Sequence, residues 1–137
     1  IILKGETKWN IESMTQNLLF GLYLFANQIW RGDYDTERTQ AALSKTLNMT
    51  AYDGKRLVGG LRILTDGIFG TITELLVLPE YQKQGVGSSL LELAKENTPT
   101  MLYFGAQPGI EAFYEKNSCQ RSLQSYIIEK NKEHITE

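Results

Sequence analysis

The segment that most constrains the fold is residues 74–92, in which a predicted strand leads through a glycine-rich loop into a predicted helix. An apolar run, Leu75–Leu78, is stopped by Pro79, and a short polar loop with Gly85 and Gly87 precedes apolar residues at helical spacing. Such a loop gathers backbone N–H groups at the positive end of a helix dipole, where an anion such as a phosphate binds. The sequence therefore predicts a phosphorylated ligand at this loop.

Length and composition indicate one globular domain over residues 1–137. Hydrophobic residues make up 42% of the chain and charged residues 22%, which is ordinary for a globular domain. The formal net charge of −2 argues against a general nucleic-acid binder, which would show a basic face. No apolar stretch approaches membrane-spanning length, and Ile1–Leu3 is too short for a signal-peptide core. With no disulfide implied, we expect a cytoplasmic protein without a membrane partner.

The single cysteine and the single histidine restrict the available chemistry. Cys119 alone forms neither an internal disulfide nor a cysteine-rich metal site, and we expect no bound metal. A Ser-His-Asp triad would need His134 as its base, and this residue lies in a charged C-terminal stretch. Hydrolysis through such a triad is therefore excluded in practice.

Hydrophobic periodicity predicts the order strand, two helices, three strands, helix, strand, helix and one or two closing strands. An Asp53-Gly54 turn favours a hairpin between the second and third strands. After the opening strand, the predicted elements are helices over 13–30 and 37–47, strands over 49–52, 57–64 and 68–78, a helix after Gly87, a strand over 100–105, a helix over 108–116 and closing strands within 119–129. The helix after the glycines has a predicted core face of Val86, Leu90, Leu91, Leu93 and Ala94.

This order predicts an α/β (α+β) fold with helices on both faces of one mixed, mostly antiparallel sheet of six to seven strands. Only the strand–helix–strand unit from Ile68 to Gly105 is expected to pair in parallel, through a right-handed crossover.

Three kinds of phosphate loop compete for the turn at Gly85 and Gly87. A Walker A loop needs Gly-Lys-Ser/Thr, whereas Gly87 is followed by Ser88 and Ser89. A dinucleotide-binding loop needs a third glycine, and Leu90 stands in its place. The third kind is the acyltransferase loop, and a simple tight turn without a ligand is a further alternative.

The segment Gln82-x-x-Gly85-x-Gly87 resembles the Gln/Arg-x-x-Gly-x-Gly/Ala signature of the GNAT acyltransferase superfamily. Phe113-Tyr114-x-Lys116 is similar to a second segment of that family, and the predicted element order matches its fold over nearly the whole chain. Two positions depart from the family pattern: Ser118 occupies a turn position where glycine is usual, and Gln107 stands where the helix before the tyrosine often opens with Asn.

The resemblance implies that acetyl-coenzyme A (acetyl-CoA) binds here. The family splays the strand ending at Leu78 away from the strand over 100–105, and the wedge admits the thioester. The pantetheine arm would pair with the backbone of Leu76, Val77 and Leu78. The pyrophosphate would bind main-chain N–H groups, with Gln82 and Lys83 at its rim. The residues expected to supply those N–H groups are Gln84, Gly85, Val86, Gly87 and Ser88.

The resemblance also implies an N-acetyltransferase that moves an acetyl group to a primary amine by direct transfer. Tyr114 is the expected acid that protonates the leaving thiolate, and the N–H of Val77 or a neighbour is the expected oxyanion donor. Glu74 lies two residues before Leu76 on the same strand face, so it is the candidate base. A role in ordering water or substrate is its alternative.

The amine acceptor, a small molecule or a peptide, is expected to enter between the first two helices and the sheet. Trp30, Arg31 and Tyr34 are the candidate acceptor-binding residues, and Asp33, Asp35, Arg62 and Tyr103 are further candidates near the mouth of that site. Related proteins are often homodimers. The alternative functions are a non-catalytic acyl-CoA sensor and an interaction domain with the same fold.

Overall fold

The computed structural model describes residues 2–4, 36–54 and 56–130. The chain forms two compact units, Ile1–Phe104 and Gly105–Glu137. The first unit contains the strands β1 (Ile2–Lys4), β2 (Leu47–Asp53), β3 (Arg56–Thr65), β4 (Gly70–Val77) and β5 (Leu102–Tyr103), the helices α1 (Thr36–Ser44) and α2 (Val86–Asn97), and a 3₁₀ turn, Pro79–Tyr81. The second unit contains helix α3 (Glu111–Lys116).

Within the described residues the strands form one five-stranded sheet in the order β1-β2-β3-β4-β5. The first three pairings are antiparallel, and only β4 and β5, which are joined through α2, pair in parallel. The predicted mixed, mostly antiparallel sheet is confirmed, and so is the single parallel pair. A sheet of six to seven strands is not confirmed.

The core of the first unit lies between α2 and the sheet. The predicted core residues of α2 are all buried, and they meet a sheet whose buried residues include Val58, Leu61 and Ile63. Gly59 allows this close approach, because a Cβ there would lie 3.1 Å from the Leu76 carbonyl oxygen and 3.2 Å from a Val86 methyl group. The absence of a side chain at this position therefore sets the first turn of α2 against β3.

Helix α1 ends at Ser44, three residues before the predicted end, and Leu47 already belongs to β2. Asn48 explains the early stop: its Nδ2 donates to the Leu43 carbonyl at 2.9 Å, and its Oδ1 accepts from the Thr46 hydroxyl at 2.6 Å. These bonds satisfy the helix C-terminus and turn the chain into the strand. The helix predicted over 13–30 lies outside the described residues.

The strand predicted over 68–78 begins later, at Gly70, because a turn precedes it. Asp66 Oδ1 accepts hydrogen bonds from the N–H groups of Ile68 and Phe69, both at 2.9 Å. These two bonds hold the pKa of the Asp66 carboxyl below its usual value. Such an Asx turn competes with the strand ladder, which explains the shorter β4.

In the second unit α3 begins at Glu111, after a turn at Pro108–Gly109, whereas the sequence predicted a start at Pro108. The helix is closed by a hydrogen bond from the Cys119 N–H to the Tyr114 carbonyl at 2.9 Å. Ser118 adopts a positive φ of 64°, so it does occupy the left-handed turn position that the sequence assigned to it.

The closing strands predicted within 119–129 are wrong: residues 119–130, all of which are described, contain no strand. The apolar side chains that suggested strands are exposed, among them Leu123, Tyr126 and Ile128. A strand forms only where a neighbour pairs its backbone, and alternation along the sequence does not specify that neighbour.

Candidate functional site

Strand β4 is paired along its full length on one side and only at its beginning on the other. It pairs with β3 from Gly70 to Val77, but with β5 only at Gly70 and Thr71. Within the β3–β4 pair the register shifts by one residue. Arg62 pairs with Glu74 and Ile63 pairs with Ile72, so Thr73 is an extra residue on β4. Such a bulge bends a strand, and β4 has no strand partner on its β5 side, among the described residues, beyond Thr71.

The direction of the main-chain groups of β4 follows from one hydrogen bond. The Leu78 N–H donates to the Val58 carbonyl at 2.8 Å, so Leu78 points its backbone toward β3. Because this direction alternates in an antiparallel pair, Leu76 also points toward β3, while Leu75 and Val77 point toward the open side. The Val77 carbonyl accepts the Gln82 amide Nε2 at 3.1 Å, which leaves the Val77 N–H as the donor at this place.

The loop that follows β4 presents a row of N–H groups. The first hydrogen bond of α2 runs from the Ser89 N–H to the Gly85 carbonyl at 3.0 Å, and Gly85 takes the left-handed conformation with φ 88°. Among the described residues, the N–H groups from Lys83 to Ser88 have no acceptor. Main-chain donors therefore surround the N-terminus of α2, the place to which the sequence pattern assigned an anion.

Two glutamine side chains of the loop bind main-chain carbonyls of the preceding strand and turn. Gln82 binds the Val77 carbonyl, and Gln84 Nε2 donates to the Glu80 carbonyl at 2.8 Å. Lys83 is exposed and has a positive φ of 61°. These two glutamine amides thus bind main-chain carbonyls, and the donors that remain at the loop include main-chain N–H groups and the Lys83 ammonium.

A second group of residues contacts the turn that opens this loop, and no sequence pattern had predicted a role for it. Tyr81 donates its hydroxyl hydrogen to Asp53 Oδ2 at 2.5 Å, and Arg56 Nη2 lies 2.8 Å from Glu80 Oε2. The hydrogen bond to Asp53 raises the pKa of Tyr81, and the one to Glu80 raises the pKa of Arg56. The Asp-Gly turn was the available signal, since it places Asp53 and Arg56 at one hairpin tip.

Glu74 forms an ion pair in the middle of the sheet. Its Oε1 lies 3.2 Å from Arg62 Nη2, and the side chains are 24% and 14% exposed. The two residues are register partners, and Asn48 is the partner of Arg62 on β2, so three polar residues cross the sheet in a row. The candidate base therefore stands beside the bulge with one oxygen held by a guanidinium.

Tyr114 lies on α3 in the second unit, half-buried, with its ring 5.1 Å from the Phe113 ring in an edge-to-face arrangement. Burial, and to a smaller extent the charge of Cys119, raises the pKa of its phenol. The phenol therefore stays protonated at neutral pH, as a proton donor requires.

The candidate acceptor residues Trp30, Arg31 and Tyr34 lie outside the described residues, as do Asp33 and Asp35. Tyr103 is exposed and stacks on Phe69 with ring centroids 5.5 Å apart. Within the described part of the chain, no group of three side chains suited to a metal ion occurs. Over the same residues, every helix is too short or too polar to cross a membrane.

Over the described residues, a mixed α/β fold thus combines a mostly antiparallel sheet, one parallel strand pair that is open beyond Thr71, and a row of main-chain donors at the start of α2. Residues 45–117 match the family model described as an acetyltransferase (GNAT) domain, and the chain belongs to this family. None of the curated proteins matches the chain.

Solved structures with the same fold include three acetyltransferases. The GNAT-family acetyltransferase of Streptococcus pneumoniae TIGR4 is 26% identical, with a TM-score of 0.67 over 85% of this chain and 93% of its own. The aminoglycoside antibiotic 6'-N-acetyltransferase AAC(6')-Ih of Acinetobacter baumannii is 16% identical, with a TM-score of 0.65 over 86% and 95%. The structure of AAC(6')-Iy in complex with the bisubstrate analog CoA-S-monomethyl-acetylneamine is 12% identical, with a TM-score of 0.60 over 77% and 86%.

Proposed function

We propose that the protein is an N-acetyltransferase that transfers an acetyl group from acetyl-CoA to a primary amine by direct transfer. The observation that carries this proposal is the row of N–H groups from Lys83 to Ser88, which lies at the end of the open side of β4. Membership of the GNAT family and the CoA analog named for AAC(6')-Iy support acyl-CoA as the donor.

The main chain of the loop and of β4 would hold the cofactor. The N–H groups from Gln84 to Ser88 would bind the pyrophosphate, with the Lys83 ammonium beside it. Of the three strand residues expected to pair with pantetheine, Val77 turns its backbone toward the open side, while Leu76 and Leu78 are paired with β3. Leu75 has the same direction as Val77, so we assign the pantetheine contacts to Leu75 and Val77.

Bound acetyl-CoA supplies an activated acetyl group as a thioester. Glu74 accepts a proton from the amine, directly or through water, while the amine nitrogen attacks the acetyl carbon. One of the two open-side N–H groups, that of Val77 or of its neighbour Leu75, donates to the oxyanion and the other stays with pantetheine, and Tyr114 gives its proton to the sulfur as the carbon–sulfur bond breaks. Each proton thus has a donor and an acceptor among named residues, and no covalent enzyme intermediate is needed.

The acceptor would be a small molecule or a peptide with a primary amine. The aminoglycoside antibiotic in the name of the A. baumannii protein supports a polycationic small molecule as a first choice. Trp30, Arg31 and Tyr34 remain the candidate acceptor-binding residues. A homodimer and a cytoplasmic location are further expectations.

The first experiment combines binding with turnover. Calorimetry should show that coenzyme A binds the wild-type protein, and that Gly87→Leu weakens this binding at least tenfold because its side chain would hold phosphates away from the main chain. Binding of acetyl-CoA without its consumption in the presence of an amine panel would favour the sensor alternative. No binding at all would favour an interaction domain.

The second experiment addresses Tyr114. Tyr114→Phe should lower kcat by about 10²-fold or more and leave the acetyl-CoA dissociation constant unchanged. Because the pKa of the phenol is raised, the wild-type rate should fall with rising pH only above about 10, and the Phe variant should lack that fall. Equal kcat values for the two proteins would refute the acid role.

A further inference from the structure

Four residues form a cluster that joins the β2–β3 hairpin tip to the turn before the loop; we call Asp53, Arg56, Glu80 and Tyr81 the hairpin clamp. It contains two independent polar links, the Tyr81–Asp53 hydrogen bond at 2.5 Å and the Arg56–Glu80 ion pair at 2.8 Å. The Arg56 guanidinium also lies over the Tyr81 ring, 5.5 Å from its centroid. Two strand ends thus hold two adjacent residues of one 3₁₀ turn.

The clamp is continuous with the donor row. Glu80, whose carboxylate binds Arg56, also accepts the Gln84 amide on its carbonyl oxygen at 2.8 Å. Tyr81 directly precedes Gln82, whose amide binds the Val77 carbonyl. The hairpin tip therefore holds Glu80 and Tyr81, of which the first binds Gln84 and the second directly precedes Gln82.

This loop needs such support, because it contains an uncomfortable backbone conformation. Lys83 has a φ of 61°, which costs a residue with a side chain free energy that the surrounding contacts must offset. The N–H groups that follow have no acceptor among the described residues. Ordering such a loop at the moment of binding lowers affinity, and a loop that is ordered in advance avoids that loss.

We propose that the hairpin clamp residues are positioning residues for the cofactor: they hold the 3₁₀ turn so that the N–H groups from Lys83 to Ser88 converge before the ligand arrives. The role at the cofactor rests on the proposed function, whereas the effect on the loop does not. Each link is exposed and weak by itself, so the clamp contributes to affinity rather than to the stability of the fold.

The binding test uses conservative variants and a matched control. Tyr81→Phe removes the hydrogen bond to Asp53, Glu80→Gln removes the charge that attracts Arg56, and the double variant combines the two changes. Glu92→Gln is the control, since it removes the charge of the exposed Lys95–Glu92 pair of α2, 3.0 Å apart, without touching the clamp. The dissociation constant of coenzyme A, measured by calorimetry, should rise about threefold for each single variant and about tenfold for the double variant. It should not change for the control.

Kinetics separate positioning from a general structural defect. The KM for acetyl-CoA should rise with the dissociation constant while kcat stays unchanged, because the clamp does not touch the reacting atoms. A parallel fall of kcat would contradict a role restricted to the cofactor loop. Unchanged coenzyme A affinity in the double variant would overturn the proposal for the cofactor.

Amide hydrogen exchange without ligand tests the effect on the loop independently. The N–H groups of Tyr81 and Ser89 close the two ends of the loop, with bonds to Leu78 at 2.9 Å and to Gly85 at 3.0 Å. Their exchange should be faster in Tyr81→Phe and Glu80→Gln than in the wild type and in Glu92→Gln. Faster exchange in a protein that does not bind coenzyme A would refute the proposed function and retain the loop effect. Unchanged exchange would overturn the loop effect itself.

Discussion

Two Arg–Glu ion pairs join β3 to the chain segment formed by β4 and its following turn, and they lie in different surroundings. Arg62 and Glu74 are 3.2 Å apart with side chains 14% and 24% exposed, whereas Arg56 and Glu80 are 2.8 Å apart with side chains 55% and 59% exposed. The closer pair is the one in water. Because water screens charge, the shorter distance does not indicate the larger contribution to the free energy of unfolding.

This difference in exposure predicts different roles for the two ion pairs. The Arg62–Glu74 pair lies inside the sheet ladder next to the bulge, so losing one partner leaves a charge that water reaches poorly. The Arg56–Glu80 pair lies at a hairpin tip, where either charge alone is well solvated. We therefore expect the inner pair to affect stability and the orientation of Glu74, and the outer pair to affect only the position of the loop.

The largest effect is expected from Arg62→Met, which keeps the volume of the side chain and removes its charge. The free energy of unfolding, measured by urea denaturation, should fall by about 2 kcal/mol, less than for a fully buried pair because Glu74 retains some contact with water. Arg62→Lys is the control, and it should recover part of the loss because it restores the charge without the planar guanidinium. A loss below about 0.5 kcal/mol for Arg62→Met would remove the distinction between the two pairs.

The second effect concerns the backbone of the loop between β4 and α2. Gly85→Ala should lower the free energy of unfolding by about 1 kcal/mol, because Gly85 has a φ of 88°, although a Cβ there would meet no atom within 4 Å. Gly105→Ala is a control with a glycine whose φ is not in the left-handed region and whose Cβ would also meet nothing. If Gly85→Ala cost less stability than loss of the outer ion pair, the left-handed conformation of Gly85 would not be the more restrictive feature of this loop.

Local patterns predicted α2 well and the end of the chain badly, for physical reasons. The buried face of α2, from Val86 to Ala94, follows from periodicity within a single helix. Residues 119–129 contain apolar residues that suggested one or two strands, but a strand also needs a partner at its edge, and no local pattern supplies one. The early end of α1 depends on the Asn48 side chain, which binds the helix from the following strand.

The candidate site was likewise predictable where it depends on local spacing and not where it depends on contacts between strands. The spacing of Gly85 and Gly87 predicted where main-chain donors gather, and the structure has them there. The choice between Val77 and its neighbours depends on the register with β3, which one strand alone does not determine. The contacts of Asp53 and Arg56 join residues far apart in the sequence, so only the folded sheet brings the clamp together.

The third effect is expected from Arg56→Met, the counterpart of Arg62→Met at the outer pair. The free energy of unfolding should change far less than for Arg62→Met, since exposed ion pairs contribute little to stability. Coenzyme A affinity measured on the same protein should nevertheless fall, as for the other clamp variants. A stability loss equal to that of Arg62→Met would show that exposure does not distinguish the two pairs.

The smallest expected effect is the response of stability to salt. It is measured on Arg62→Met and Arg56→Met, each of which removes one partner of one ion pair. At 1 M NaCl the Debye length falls to about 3 Å, so charges at a hairpin tip are screened while those inside a sheet are screened much less. The stability difference between wild type and Arg56→Met should therefore shrink toward zero between low and high salt. The difference between wild type and Arg62→Met should persist, because poor access of water and ions to the lone Glu74 carboxylate causes most of it. Urea denaturation of the three proteins at both salt concentrations measures these differences, and equal screening of the two would mean that ions reach Glu74 as freely as Glu80.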